Sequence, residues 1–143
     1  MQLRQITYGS DDYQATLALR NRVMRIPLGL NIYTEDFSFE KNALIIGAFE
    51  AEKLTGVGVM THTEDVYKVE YLCVDTSLQS TGIGGRLLDA LEQAARSQGG
   101  VKMCMDARCS AQAFYTRHGY APCGEVFLLD YAPVPHIVME KVL

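Results

Sequence analysis

The chain has 143 residues, 48% of them hydrophobic and 21% charged, with a formal net charge of −4. This is the balance of a soluble globular protein, and the length suits one domain over residues 1–143. The absence of any lysine–arginine run argues against nucleic acid or a membrane surface as partner, and no apolar run reaches the roughly 20 residues of a membrane span.

The first twelve residues lack an apolar stretch behind a basic start, so no signal peptide is expected. Leu3 to Tyr8 alternates apolar and polar residues and predicts an edge strand. Ser10-Asp11-Asp12 supplies a helix N-cap, and the helix that follows, from about Tyr13 to Arg25, stops before Pro27. Residues 26–42 read as irregular, aromatic and acidic. Strands are predicted over Ala43–Glu50, Leu54–Thr63 and Val66–Asp75. In the last of these, strict alternation sets Val69, Tyr71 and Cys73 on one face and Glu70, Leu72 and Val74 on the other.

A glycine-rich turn, Gln79 to Gly85, then opens a helix whose apolar residues fall at Ile83, Leu87, Leu88, Leu91, Ala94 and Ala95 and which ends at Gly99-Gly100. A strand over Val101–Asp106 and a short helix over Ser110–His118 follow. Two final strands are expected near Tyr120–Leu129 and His136–Val142, joined by Tyr131-Ala132-Pro133-Val134-Pro135. The order β-α-β-β-β-α-β-α-β-β predicts a mixed α/β sheet flanked by helices rather than a doubly wound nucleotide fold.

The chemistry concentrates in that turn. Backbone N–H groups at a helix N-terminus are unpaired and lie at the positive end of the helix dipole, and glycines let an anion such as a pyrophosphate approach them. A Walker loop is excluded because Gly84 precedes Gly85-Arg86, and the spacing of Gly82, Gly84 and Gly85 is not a dinucleotide fingerprint. A glycine-rich helix start with no ligand stays open on the residues alone.

Gln79-Ser80-Thr81-Gly82-Ile83-Gly84 resembles the Gln/Arg-x-x-Gly-x-Gly/Ala signature of the GNAT acetyltransferases, and Leu72-Cys73-Val74 before it resembles their pantetheine-binding strand. Phe114 to Tyr120 is similar to the family's Tyr-x-x-x-Gly-Phe/Tyr segment, with Tyr115 placed 31 positions after Gly84. The tail, from Gly124 through Met139, resembles the ElaA-like branch. The resemblance implies a single-domain GNAT acyltransferase fold with a mostly antiparallel mixed sheet. It also implies acetyl-CoA as cosubstrate and direct transfer of the acetyl group to a small-molecule or peptide amine. Its alternative is a sensor or scaffold that binds acyl-CoA without turnover. Cofactor contacts are then expected at Leu72, Cys73, Val74, Gln79, Ser80, Thr81, Gly82, Ile83, Gly84, Gly85 and Tyr115. Where many members carry an asparagine, seven residues before the tyrosine, this chain has Arg108, which either reaches a cofactor phosphate or is a solvated side chain.

Of the residues expected to act, Glu70 is the candidate general base, set against a salt-bridged surface glutamate. Tyr115 is the candidate proton donor to the leaving thiolate, set against a core tyrosine. His136 either enters the acceptor cleft or hydrogen-bonds within the core. The backbone N–H of Val74, or its neighbour, is placed by the resemblance to polarise the thioester carbonyl. Asn31 to Glu40, with three carboxylates among aromatic residues, is the segment that frames the acceptor in this family, and the acidic balance suits an amine. Cys73, Cys104, Cys109 and Cys123 form no CxxC pair and do not cluster with the histidines at zinc spacing. They read as reduced thiols of a cytoplasmic protein, with no metal site and no nucleophilic role for Cys73. A homodimer is the usual assembly for an enzyme of this size.

Overall fold

The computed structural model describes all 143 residues. Its elements are β1 (Gln2–Gln5), α1 (Asp11–Met24), β2 (Leu44–Glu50), β3 (Lys53–Thr63), β4 (Val66–Val74), α2 (Ile83–Ser97), β5 (Lys102–Arg108), α3 (Gln112–Arg117), β6 (Ala121–Leu129) and β7 (Ala132–Val142). One seven-stranded sheet runs in the order β1-β2-β3-β4-β5-β7-β6. Every neighbouring pair is antiparallel except β4 and β5, which α2 joins as a parallel crossover. The predicted order of elements is the observed one. No helix is long and apolar enough to cross a membrane.

α1 starts where the sequence predicts, with the Ser10 side chain accepting a hydrogen bond from the Tyr13 N–H and two aspartates in the first turn. Its buried face is partly polar: Tyr13, Thr16, Leu19 and Arg20. α2 buries Ile83, Leu87, Leu88 and Leu91 against the sheet. The helix comes close because β3 carries glycines beneath it. A Cβ on Gly56 would lie 3.0 Å from Leu87 and 3.1 Å from Ile83, and one on Gly58 would lie 2.9 Å from Leu91.

Three features depart from the sequence reading. First, β4 is bulged: Val59 pairs with Tyr71 and Met60 with Val69, so Glu70 is an extra residue with no partner on β3. The faces therefore exchange. Tyr67 and Val69 pack with Leu88 and Leu91 of α2, whereas Tyr71 and Cys73 pack with Tyr13 and Leu19 of α1. Glu70 does not share the face of Leu72 and Val74. Its carboxylate lies on the α1 side, accepting from Thr61 at 3.0 Å and 3.8 Å from Lys68.

Second, β7 begins at Ala132, not His136, and takes in Pro133 and Pro135. Prolines fit there because β5 pairs with β7 only from His136 onward, leaving that stretch with β6 as its single neighbour.

Third, residues 26–42 are ordered as short 3₁₀ turns at Ile26–Leu28, Ile32–Thr34 and Ser38–Asn42. Asn21 accepts from the Ile32 N–H at 2.9 Å. The Arg20 guanidinium grips Glu40 at 2.8 and 2.9 Å, with both side chains fully buried. Tyr13 also donates to Glu40, at 2.8 Å. Glu40 is thus a structural anchor, not one of the acceptor-facing carboxylates.

Candidate active-site cleft

The parallel ladder between β4 and β5 runs from Val66/Lys102 to Val69/Met105 and stops there. Beyond it the strands part, and the β5-facing edge of Glu70 to Val74 has no strand partner. The bulge at Glu70 sits at the point of parting, where added twist turns the end of β4 away. A cleft opens in the gap, with Tyr71 and Leu72 on one wall, Ala107 and Arg108 on the other, and Tyr115, Tyr131 and His136 closing round it.

The cleft is rich in ionisable groups on the α1 side. Lys68 bridges the last paired rungs, 3.2 Å from Asp106 and 3.8 Å from Glu70. Burial pulls its ammonium pKa down, but the two carboxylates outweigh that, and the net shift is upward. Arg25, almost fully buried at the end of α1, holds Glu35 at 2.7 Å and donates to the Tyr71 hydroxyl at 2.6 Å. Burial raises the Tyr71 phenol, although Arg25 acts the other way.

Arg108 neither reaches the phosphate turn nor lies free in solvent. Its Nη2 donates to the Met24 carbonyl at the end of α1, at 2.8 Å, while its Nε is buried with no partner. Desolvation and the nearby Arg25 charge lower its pKa, and no carboxylate takes part. It is an uncompensated guanidinium in the cleft wall.

Tyr115 is 7% exposed and lines the same cleft as Glu70. Burial alone raises its phenol, with no hydrogen bond or charge contributing, so the proton is retained throughout the neutral range. His136 is buried, pairs with Arg108 across β5 and β7, and bonds through Nδ1 to the Val134 carbonyl at 2.6 Å. Its ring meets the cleft while one nitrogen is held by the core. Cys73 points away, into the α1-side core, where burial pushes its thiol up to about 12. Only its backbone faces the strand edge, which suits a buried structural thiol.

The glycine-rich turn lies at the other end of this gap. Gly82 caps α2 with φ +91°, a left-handed conformation that favours glycine, and no side chain caps the helix. The first-turn N–H groups from Ile83 to Gly85 are therefore open to a ligand. Gln79, Ser80 and Thr81 are exposed, with Gln79 donating to the Val74 carbonyl at 3.4 Å and Thr81 to the Leu78 carbonyl. A Cβ on Gly84 would lie 3.4 Å from Phe114 and 3.7 Å from Val74, so the turn abuts the end of β4 and the residue beside Tyr115. Gly85 has a different reason to be glycine: its Cβ would come within 2.8 Å of His118 Nε2.

Lys68, Asp106, Arg25 and Tyr131 join the site without having been candidates on sequence. Lys68 was legible, being two positions before Glu70 on the same strand face. The other three reach the cleft from separate elements and carry no local signal.

Residues 30–143 match the model of the acetyltransferase (GNAT) domain. Over 96 residues the chain is 36% identical to the uncharacterized N-acetyltransferase YjcF of Bacillus subtilis, covering 67% of this chain and 68% of that protein. Among solved structures, ElaA of Escherichia coli superposes with a TM-score of 0.79 over 99% of both chains at 18% identity. The PaiA N-acetyltransferase of Thermoplasma acidophilum, solved in complex with coenzyme A, superposes with a TM-score of 0.75 over 100% of both chains at 17% identity. At these identities the two structures speak for the fold.

Proposed function

The chain belongs to the GNAT acetyltransferase family, and from that premise we propose that it transfers the acetyl group of acetyl-CoA directly to a primary amine in a ternary complex. The observation that carries this reading is the parting of β4 and β5, with an uncapped glycine turn at one end and an ionisable cleft at the other. The residues present fit the cosubstrate. The open first turn of α2 suits its pyrophosphate, the unpaired edge of Glu70 to Val74 suits the amides of its pantetheine arm, and the orphaned Arg108 Nε suits a carbonyl oxygen. When bound, acetyl-CoA supplies the acetyl group as a thioester.

The reaction forms a C–N bond, breaks the C–S bond and moves one proton at each end. An alkylamine has a pKa near 10.4, so its neutral form costs about 4–5 kcal/mol to populate at neutral pH. Glu70, which lines both the cleft and the neighbouring acidic cavity, takes the proton from the amine. The N–H of Val74 or its neighbour, on the unpaired edge, polarises the thioester carbonyl. Tyr115, held protonated by burial, gives its proton to the departing thiolate. His136, fixed through Nδ1, closes the far wall. No residue needs to carry the acetyl group.

The test is mass-spectrometric detection of an acetylated amine from acetyl-CoA and an amine panel, with the native chain and Glu70→Gln. The reading expects turnover that falls by about a hundredfold in the variant. Binding of acetyl-CoA without any product would instead assign a binding role.

A further inference from the structure

A second cavity, of about 480 Å³, opens from the cleft and shares Glu70, Tyr71 and Tyr131 with it. Its remaining lining is Glu35, Asp36, Phe37 and Phe39, so no lysine, arginine or histidine faces it. Glu35 is neutralised by Arg25 at 2.7 Å. Asp36 has no cationic partner: its carboxylate accepts from Ser38, the N–H at 2.9 Å, and the residue is exposed. Glu70 accepts from Thr61 at 3.0 Å, and its one cationic contact is Lys68 at 3.8 Å, which Asp106 holds more closely. Two carboxylates are therefore left for a ligand, Glu70 at the reacting end and Asp36 further out. The same cavity carries aromatic rings that are open to solvent, with Phe39 45% and Tyr131 49% exposed. The nearby cations, Lys68, Arg25 and Arg108, line the adjoining cleft and not this cavity.

Resting on the acetyl-transfer reading above, we infer that the acceptor is an aliphatic amine carrying a second positive charge and no carboxylate: a diamine or polyamine. One ammonium sits at Glu70 and loses its proton for transfer. The other sits at Asp36, the alkyl chain passing over Phe39 and Tyr131, whose ring faces attract cations. A carboxylate in place of the second amine meets Asp36 with no cation to balance it, and like charges repel. The cavity selects by charge at its outer end.

Initial rates with acetyl-CoA should be compared for 1,5-diaminopentane, pentylamine and 5-aminopentanoate, which share a chain length and differ only at the second end. The expected kcat/KM for the diamine is about tenfold above pentylamine and about a hundredfold above the amino acid. Asp36→Asn removes the charge yet keeps the acceptor for the Ser38 N–H, and should bring the diamine-to-pentylamine ratio towards one. Equal rates for all three amines, or a preference for the amino acid, overturn the inference and leave acetyl transfer standing. Calorimetry with 1,5-diaminopentane on the CoA-saturated protein separates the two claims. Diamine binding that Asp36→Asn weakens about tenfold, with no turnover of any amine, keeps the cation site and sinks the transfer reading. No diamine binding at millimolar concentration sinks the inference.

Discussion

Replacing Glu40 by glutamine leaves Arg20 as a buried charge without a counter-ion. Both side chains are fully buried, the pair is bidentate at 2.8 and 2.9 Å, and the Arg20 guanidinium also stacks 4.7 Å from the Tyr71 ring. Breaking such a pair from one side costs about 3–5 kcal/mol, because the remaining ion keeps its desolvation penalty. Total stabilities run to about 5–15 kcal/mol, so about a fifth or more is at stake. Unfolding entropy for a chain this long is about 0.3 kcal/mol/K, which converts the loss to a fall in Tm of about 10–17 °C. The chain has no tryptophan, so urea unfolding is best followed by far-UV circular dichroism. Glu40 also anchors the segment that bears Phe37 and Phe39, so the amine KM should rise while acetyl-CoA affinity holds. The double change Arg20→Met with Glu40→Leu should recover most of the stability, since an apolar pair removes the stranded charge. A loss below about 1 kcal/mol in Glu40→Gln would refute the reasoning, as would a double variant no better than the single one.

Tyr115→Phe should lower kcat by about tenfold to a hundredfold and change stability by under about 0.5 kcal/mol, because no hydrogen bond to the phenol is lost; an unchanged kcat would remove it from proton donation. Gly56→Ala should cost about 1–3 kcal/mol in a urea titration and weaken acetyl-CoA binding, because the new methyl meets Leu87 and Ile83 at 3.0 and 3.1 Å and lifts the first turns of α2. Stability should hold level to about pH 8 and decline above about pH 9, where the unfolded thiol ionises while buried Cys73 stays neutral up to about 12. The raised phenols of Tyr13, Tyr71, Tyr115 and Tyr120 add to the loss only above about pH 10, and the half-buried Cys104 thiol, also raised by burial, shares the earlier range. Cys73→Ala should therefore delay the onset in part, and a Tm-against-pH curve that this variant leaves unmoved contradicts the assignment.

The parts of the fold legible in the sequence were those with a local cause. The Ser10 cap announced α1 although that helix buries tyrosine, threonine and arginine, and the spacing of Ile83, Leu87, Leu88 and Leu91 announced α2. The glycine turn was equally plain. What escaped reading depended on partners distant in sequence. One inserted residue at Glu70 exchanges the faces of β4, and nothing in Val69-Glu70-Tyr71 signals it, because the bulge is defined by its register with β3. Glu40 looks like its neighbours Glu35 and Asp36 until Arg20, twenty positions earlier, is brought against it. Arg108 departs from the family pattern, and only the approach of α1 gives it the Met24 carbonyl. Pro133 and Pro135 read as a linker because the missing N–H groups argue against a strand, and β5 ends just where they would be needed.

Calorimetric titration of acetyl-CoA into the native chain and Gly84→Glu tests the account most directly. A Cβ at Gly84 meets Phe114 and Val74 at ordinary contact distances of 3.4 and 3.7 Å, so the variant should fold, which circular dichroism verifies. Its carboxylate enters the passage between the turn and the cleft, against the proposed pyrophosphate. The account predicts saturable binding by the native chain and at least about a hundredfold weaker binding by the variant. Equal affinities, or no native binding near millimolar acetyl-CoA, would contradict it and leave the glycine turn as a helix start alone.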